Sequence, residues 1–145
     1  MAQTDRYPVS RYPPQLPVDL GAPDVRARLS PAALKAFFNL AARWKLRDED
    51  ARALLGGVSN GPYYVMKRNP NRTLDVDRLT RVSYLIGIFK ALNILYSEAL
   101  ADEWVRRPNT NLLFGGLTPL AYMLRGGVPA MLNVRRLLDA RRAGR

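Results

Sequence analysis

Apolar residues recur at helical spacing along most of this chain, and the breaks in that rhythm divide it into segments. Leu34, Phe37, Phe38, Ala41 and Trp44 form the first stripe, with Ser30 as the expected N-cap and Pro31 as the first helical residue. A second helix is predicted over about 48–55, turning Ala51, Leu54 and Leu55 inward. Gly56 suits the left-handed residue after its end, and Val58 should plug the angle to the next helix. That third helix is expected to start at Ser59, whose hydroxyl can cap the amides two or three residues on, and to end near Asn69-Pro70. Pro62 is tolerated in its first turn, where a missing N–H matters little.

The longest helix is predicted from about Asp75, as N-cap, to Tyr96. Leu74 and Leu79 can staple its start. Leu79, Val82, Ile86 and Phe89 line one face and Leu85, Leu92 and Tyr96 another. A helix apolar on two sides lies between layers or in a subunit interface. A fifth helix over about 98–107 should bury Leu100 and Trp104. After a loop from Asn109 to Gly116, Thr118-Pro119 opens a short helix ending at Gly126-Gly127. The last helix, about 129–142, carries the stripe Met131, Val134 and Leu138, with Leu137 beside it. No segment alternates as a strand does, so the fold class expected is all-α.

The first 29 residues have no such rhythm. They hold five of the chain's 11 prolines and two copies of Arg-Tyr-Pro, at 6–8 and 11–13. Proline-rich sequence resists helix and sheet, so 1–29 reads as an extended arm. Residues 30–73 then form a helix-turn-helix region and 74–145 a second helical unit.

Charge sharpens this division. The 145 residues carry 23 Lys and Arg against 12 Asp and Glu, a formal +11. Residues 31–73 hold a net +5 and 108–145 another +5, whereas 74–107 are neutral. Such an excess favours polyanions or an acidic partner, and the neutral middle suits a packed scaffold or a dimer face. On the third helix, Ser59, Asn60, Tyr63, Tyr64, Lys67 and Arg68 are the candidate DNA contacts. Asn can pair bidentately with adenine, Lys or Arg with guanine or phosphate, and Tyr can meet phosphate or a thymine methyl. One of the two tyrosines should face the core, and the sequence does not say which. Gly61 and Pro62 give the helix a weak first turn, but its free amides suit phosphate.

The chain has no cysteine and no histidine, which excludes disulfides, thiol nucleophiles and zinc sites built on Cys or His. No nucleophile–base pair or phosphate loop is found, so neither catalysis nor a cofactor or metal is expected. A signal peptide and an apolar run of ~20 residues are both missing from the pattern, so a cytoplasmic protein is expected.

Consecutive pieces of the sequence resemble one family. They are Trp44-Lys-Leu-Arg-Asp-Glu-Asp-Ala-Arg-Ala-Leu-Leu-Gly-Gly57, Tyr63-Tyr64 with Lys67, Arg81-Val-Ser-Tyr-Leu-Ile-Gly-Ile-Phe-Lys-Ala-Leu92, Ala101-Asp-Glu-Trp-Val-Arg-Arg-Pro-Asn109, Phe114-Gly-Gly-Leu-Thr-Pro-Leu-Ala-Tyr-Met-Leu124 and Val134-Arg-Arg-Leu-Leu-Asp-Ala140. Together they resemble the Xre/MbcA/ParS-type antitoxins. The resemblance implies an Xre-like helix-turn-helix bundle followed by a helical toxin-binding and dimerisation domain. It further implies a type II antitoxin, a homodimer that binds a RES-domain toxin, an enzyme that destroys NAD, and represses the shared operon by binding operator DNA. Two positions depart from the family pattern. Arg47 stands where the family has Ser, leaving Asp48 as a substitute cap, and the ending is Arg-Ala-Gly at 142–144, with Gly144 followed by Arg145.

The candidate toxin contacts are Phe114, Gly115, Gly116, Arg135, Arg136, Arg141, Arg142, Gly144 and Arg145. The arginines would meet acidic groups around a nucleotide site or fill its cleft. Phe114 beside two glycines offers an aromatic anchor on bare backbone. The other reading of these residues is a turn before a helix and a solvated chain end. The alternative for the whole chain is a stand-alone helix-turn-helix regulator without a toxin.

Overall fold

The computed structural model describes residues 18–145, so the first 17 residues of the arm expected over 1–29 lie outside them. Six helices follow one another, and among the described residues there is no strand: α1 (Pro23–Arg43), α2 (Asp48–Leu54), α3 (Asn60–Arg68), α4 (Val76–Leu95), α5 (Glu98–Glu103) and α6 (Pro119–Arg142). Short 3-10 turns cover Trp104–Arg106 and Leu112–Phe114.

Helix α4 is the axis. It packs against α1 on one side and α6 on the other, which is what its two apolar faces predict. Leu79, Val82, Leu85, Ile88, Ala91 and Leu92 are all buried along it. Asp75 caps its start by accepting the N–H of Arg78 at 2.8 Å, and the staple residues Leu74 and Leu79 are both buried. Helix α2 also touches α6, so the two halves of the chain share one apolar cluster. At the far end, Arg43 closes α1 onto α5 through Asp102 at 2.8 Å and Glu98 at 3.0 Å.

The start of α1 differs from the expectation. Ser30 and Pro31 lie inside the helix, not at its N-terminus, and residues 23–29 are helical where an extended arm was expected. The same signature occurs one segment earlier: Pro23 sits at the first helical position with Asp24 in the first turn, where its carboxylate favours the helix dipole. Arg26 then pins the chain before the helix, donating to the carbonyls of Leu20 at 2.8 Å and Gly21 at 3.0 Å. Leu20 and Leu29 pack against the core, which holds these extra turns down.

Helix α6 bends where two glycines adjoin. Gly127 has φ 64° and ψ −143°, a region essentially closed to residues with a side chain. The bend separates the short helix and the last helix read from the sequence. Ala130, Met131, Val134 and Leu138 of the last segment are buried, so the carboxy-terminal helix belongs to the core of the fold.

Candidate functional site

Helices α2 and α3 are joined by Gly56 and Gly57, with φ of 95° and 87°, and by the buried Val58. A Cβ on Gly56 would stand 3.1 Å from the Asp77 carboxylate and the Arg81 side chain of α4. The turn therefore needs glycine both for its backbone and for its seat on α4. Ser59 occupies the N-cap position of α3 but its hydroxyl makes no capping bond. One of the two amides that an N-cap hydroxyl can serve is missing, because the third helical residue is Pro62. The Ser59 hydroxyl, the Asn60 side chain and the first amides of α3 stay on the exposed surface, in reach of a phosphate.

The two tyrosines part company. Tyr63 is 1% exposed and stacks edge-on against Phe38 at 5.6 Å, so it leaves the set of candidate DNA contacts and joins the core. Its burial follows from position, since Met66, three residues on, is the other buried side chain of α3. Tyr64 is 38% exposed. Lys67, Arg68 and Asn60 are exposed beside it in sequence, which leaves a polar and basic outer face on α3.

Asp48 organises that face, a role the sequence reading missed. It is the first residue of α2, and Arg47 before it provides no side-chain cap. Instead of capping, the Asp48 carboxylate accepts the hydroxyl of Tyr64 and, at 3.4 Å, that of Tyr63. Lys67 Nζ stands 3.8 Å away. The Tyr64 hydrogen bond, then the charges of Lys67 and Arg52, hold Asp48 below the usual carboxylate range. Burial, with the Asp48 charge added, pushes the Tyr63 phenol up to about 12. The hydrogen bond to Asp48 raises Tyr64 as well. Arg47 turns the other way, pairing with Glu49 at 2.8 Å and Asp50 at 3.2 Å. Only an acidic residue that opens one helix beside a tyrosine–lysine face on the next marks this in sequence, and that pattern is weak without the turn geometry.

The second candidate face lies on the loop over 109–116 and the last turns of α6. Here too burial sorts the candidates. Phe114 is 1% exposed, wedged between Trp104 at 5.9 Å and Tyr122 at 5.4 Å in edge-on contacts. It is a core residue and not the surface anchor expected. Gly115 and Gly116 are exposed and left-handed, with φ of 56° and 89°.

The arginines divide in the same way. The Arg135 guanidinium lies across Gly87 of α4, so close that a Cβ there would be 2.5 Å from it. Arg141 donates to the Tyr96 hydroxyl at 3.1 Å, and Arg142 stands 4.0 Å from Asp139. Arg141 thus ties α6 to the end of α4, whereas Arg135 lies over the α4 surface and pairs with Asp139 of its own helix. Arg136 and Arg145 are exposed with no acidic partner among the described residues. Gly144 has φ 79° and ends the helix. Its N–H reaches the Arg141 carbonyl at 3.0 Å and the Arg145 N–H reaches Ala140 at 2.8 Å, the paired bonds of a Schellman stop. Arg145 is consequently held by its backbone.

A helix-turn-helix with a basic outer face, fused through one core to a second helical unit, matches known families in both parts. Residues 24–87 match the antitoxin Xre-like helix-turn-helix domain, and residues 90–144 match the antitoxin Xre/MbcA/ParS C-terminal toxin-binding domain. The chain belongs to the Xre/MbcA/ParS antitoxin family. A protein of Sinorhizobium fredii (strain NBRC 101917 / NGR234), described as uncharacterized protein y4oB, is 40% identical over 129 residues, 88% of this chain and 98% of that protein. No solved structure matches the chain.

The adjoining limits of the two matched regions fall within one helix. The expected division at 73/74 falls between α3 and α4, whereas the two matched regions meet at 87–90, inside α4. That helix is buried on both sides, so it completes the core of the helix-turn-helix and of the toxin-binding domain alike. No helix among the described residues is long and apolar enough to cross a membrane.

Proposed function

We propose that this chain is the antitoxin of a type II pair whose toxin is a RES-domain enzyme that degrades NAD. It binds that enzyme through the toxin-binding domain and blocks its nucleotide cleft. As a cytoplasmic homodimer it also represses the shared operon through α3. No catalysis by this chain is part of the reading. The observation that carries it is the fusion, through α4, of a helix-turn-helix domain to a toxin-binding domain. The exposed Arg136 and Arg145 support it, since cations with no acidic partner among the described residues suit acidic groups on a partner surface. On the other face, Ser59, Asn60, Tyr64, Lys67 and Arg68 supply the polar contacts that operator binding needs.

The test is co-expression of the full chain with the product of the adjacent reading frame, followed by an NAD-consumption assay on the purified complex. Suppression of NAD loss supports the reading. Undiminished NAD loss in the mixture refutes it. The tail must be trimmed with care. Removing 128–145 would take Met131, Val134 and Leu138 out of the core and unfold the protein. Removing only Ala143, Gly144 and Arg145, all exposed, separates inhibition from folding. A regulator without a toxin would bind its operator with a salt-sensitive affinity and be indifferent to that trim.

A further inference from the structure

Leu112 is 96% exposed, more than any other large apolar side chain among the described residues. Its position is held firmly. The Asn109 side chain accepts the Asn111 N–H at 2.9 Å, and the Asn111 side chain accepts the Leu113 N–H at 2.9 Å. The Leu112 carbonyl accepts the Gly115 N–H at 3.2 Å. Phe114, two residues on, is locked between Trp104 and Tyr122. A Cβ on Gly115 or Gly116 would meet nothing within 4 Å, so it is the left-handed backbone that requires glycine there and fixes the exit of the loop. The leucine therefore projects from a rigid tip and contributes nothing to the interior. A residue whose backbone is already fixed has only side-chain rotamer freedom left to lose when a partner covers it, and an aliphatic anchor seated in a pocket can form the centre of an interface.

We propose that Leu112 is the apolar anchor by which this antitoxin selects its toxin, seating in an aliphatic pocket on the toxin surface whose rim is acidic. The inference rests on the toxin-binding reading above and adds the residue that confers partner choice. Three observations name the toxin as the occupant. Leu112 falls within the region matched as toxin-binding, 90–144. Its surrounding segment, 108–145, carries a net +5, which suits an acidic partner and repels the same segment of a second copy. The phosphate backbone of DNA offers no aliphatic pocket.

The experiment compares the full-length wild-type chain with Leu112→Ala and Leu112→Asp by calorimetric titration against the product of the adjacent reading frame. Melting temperature and oligomeric state are measured in parallel. The expected result is a Kd raised about 10-fold by Leu112→Ala and at least about 30-fold by Leu112→Asp, with unchanged melting and oligomeric state. If the wild type binds and both variants bind equally well, the anchor is refuted while the antitoxin reading stands. If the wild type itself does not bind, both fall. A dimer that dissociates on Leu112→Asp with toxin affinity intact would assign the leucine to a second copy and overturn the proposal.

Discussion

Ser30 accepts the backbone N–H of Leu74 at 2.8 Å, across 44 residues of sequence. The same hydroxyl donates to the Arg26 carbonyl at 2.6 Å, and Ser30 is fully buried. It thus joins the middle of α1 to the residue that staples the start of α4. Ser30→Ala leaves the Leu74 N–H buried without an acceptor, and an unsatisfied buried donor costs about 1–3 kcal/mol. Urea denaturation should show a loss of that size. A change under a few tenths of a kcal/mol would mean that the bond does not bear on stability.

This serine also marks where the sequence is legible and where it is not. The helix class, the glycine turn, the Asp75 cap and the break at Gly127 were readable, because each follows from backbone chemistry within a few residues. Ser30-Pro31 has the local signature of a helix start and was expected to be one. The deciding partner, Leu74, is remote in sequence, and Ala22-Pro23-Asp24 supplies a competing start. Tyr63 and Phe114 failed as surface candidates for a related reason. Residue type nominated them, but helical register and the aromatic neighbours Phe38, Trp104 and Tyr122 settled their burial. Leu112 was overlooked because nothing in an apolar triplet says which member turns outward.

Asp48 gives a stability test on the acid side. Its carboxyl is held below the usual range, first by the Tyr64 hydrogen bond. A group depressed in the folded state stabilises above its unfolded value of about 3.9 and stops doing so as pH falls through the folded value. The stability difference between wild type and Asp48→Asn should therefore be constant at neutral pH and vanish on acidification below about pH 4. Denaturant midpoints taken from pH 7 downward check this. A difference that persists unchanged at the acid end would refute the ionised contact.

The same substitution should alter DNA binding. In the wild type, Asp48 places a negative charge 3.8 Å from Lys67 on the face proposed to meet the phosphates. Asp48→Asn removes it and frees the ammonium, so affinity for non-specific duplex should rise. The slope of log K against log salt should steepen by up to about 0.9, the value of one added phosphate contact. Discrimination in favour of the operator should fall, because Tyr64 and Lys67 lose their fixed placement. Fluorescence anisotropy over a salt series measures all three. Weaker binding to random duplex would contradict the charge argument.

Tyr63 gives the alkaline counterpart. Burial raises its phenol from the ordinary value to about 12. A folded value above the unfolded one means full stabilisation below about pH 10 and progressive loss as pH climbs through the folded value. Stability should decline between about pH 10 and pH 12, and Tyr63→Phe should flatten that decline because its ring cannot ionise. Tyr64 retains a smaller share, since its hydroxyl is also raised by Asp48. Circular dichroism melts across the interval decide the matter, with parallel curves for the two proteins as the adverse outcome.

Gly87 sets two opposing effects against each other. An added methyl would stand 2.5 Å from the Arg135 guanidinium, which must then move. Alanine is favoured over glycine within a helix by about 0.8–1.0 kcal/mol. The displaced atoms are the far end of a flexible side chain, and its pairing with Asp139, at 3.7 Å between partly exposed groups, is of a kind worth little. Propensity should win. Gly87→Ala is expected to leave the protein as stable or up to about 1 kcal/mol more stable, with Arg135 swung toward solvent. In an Arg135→Ala background no side chain is left to displace, so the gain should be larger. Chemical denaturation of the two single variants and the double variant measures this coupling. A marked loss in Gly87→Ala that disappears in the double variant would show that the bare helix face at 87 is kept for the arginine, and that Arg135 fixes how α6 is set against α4.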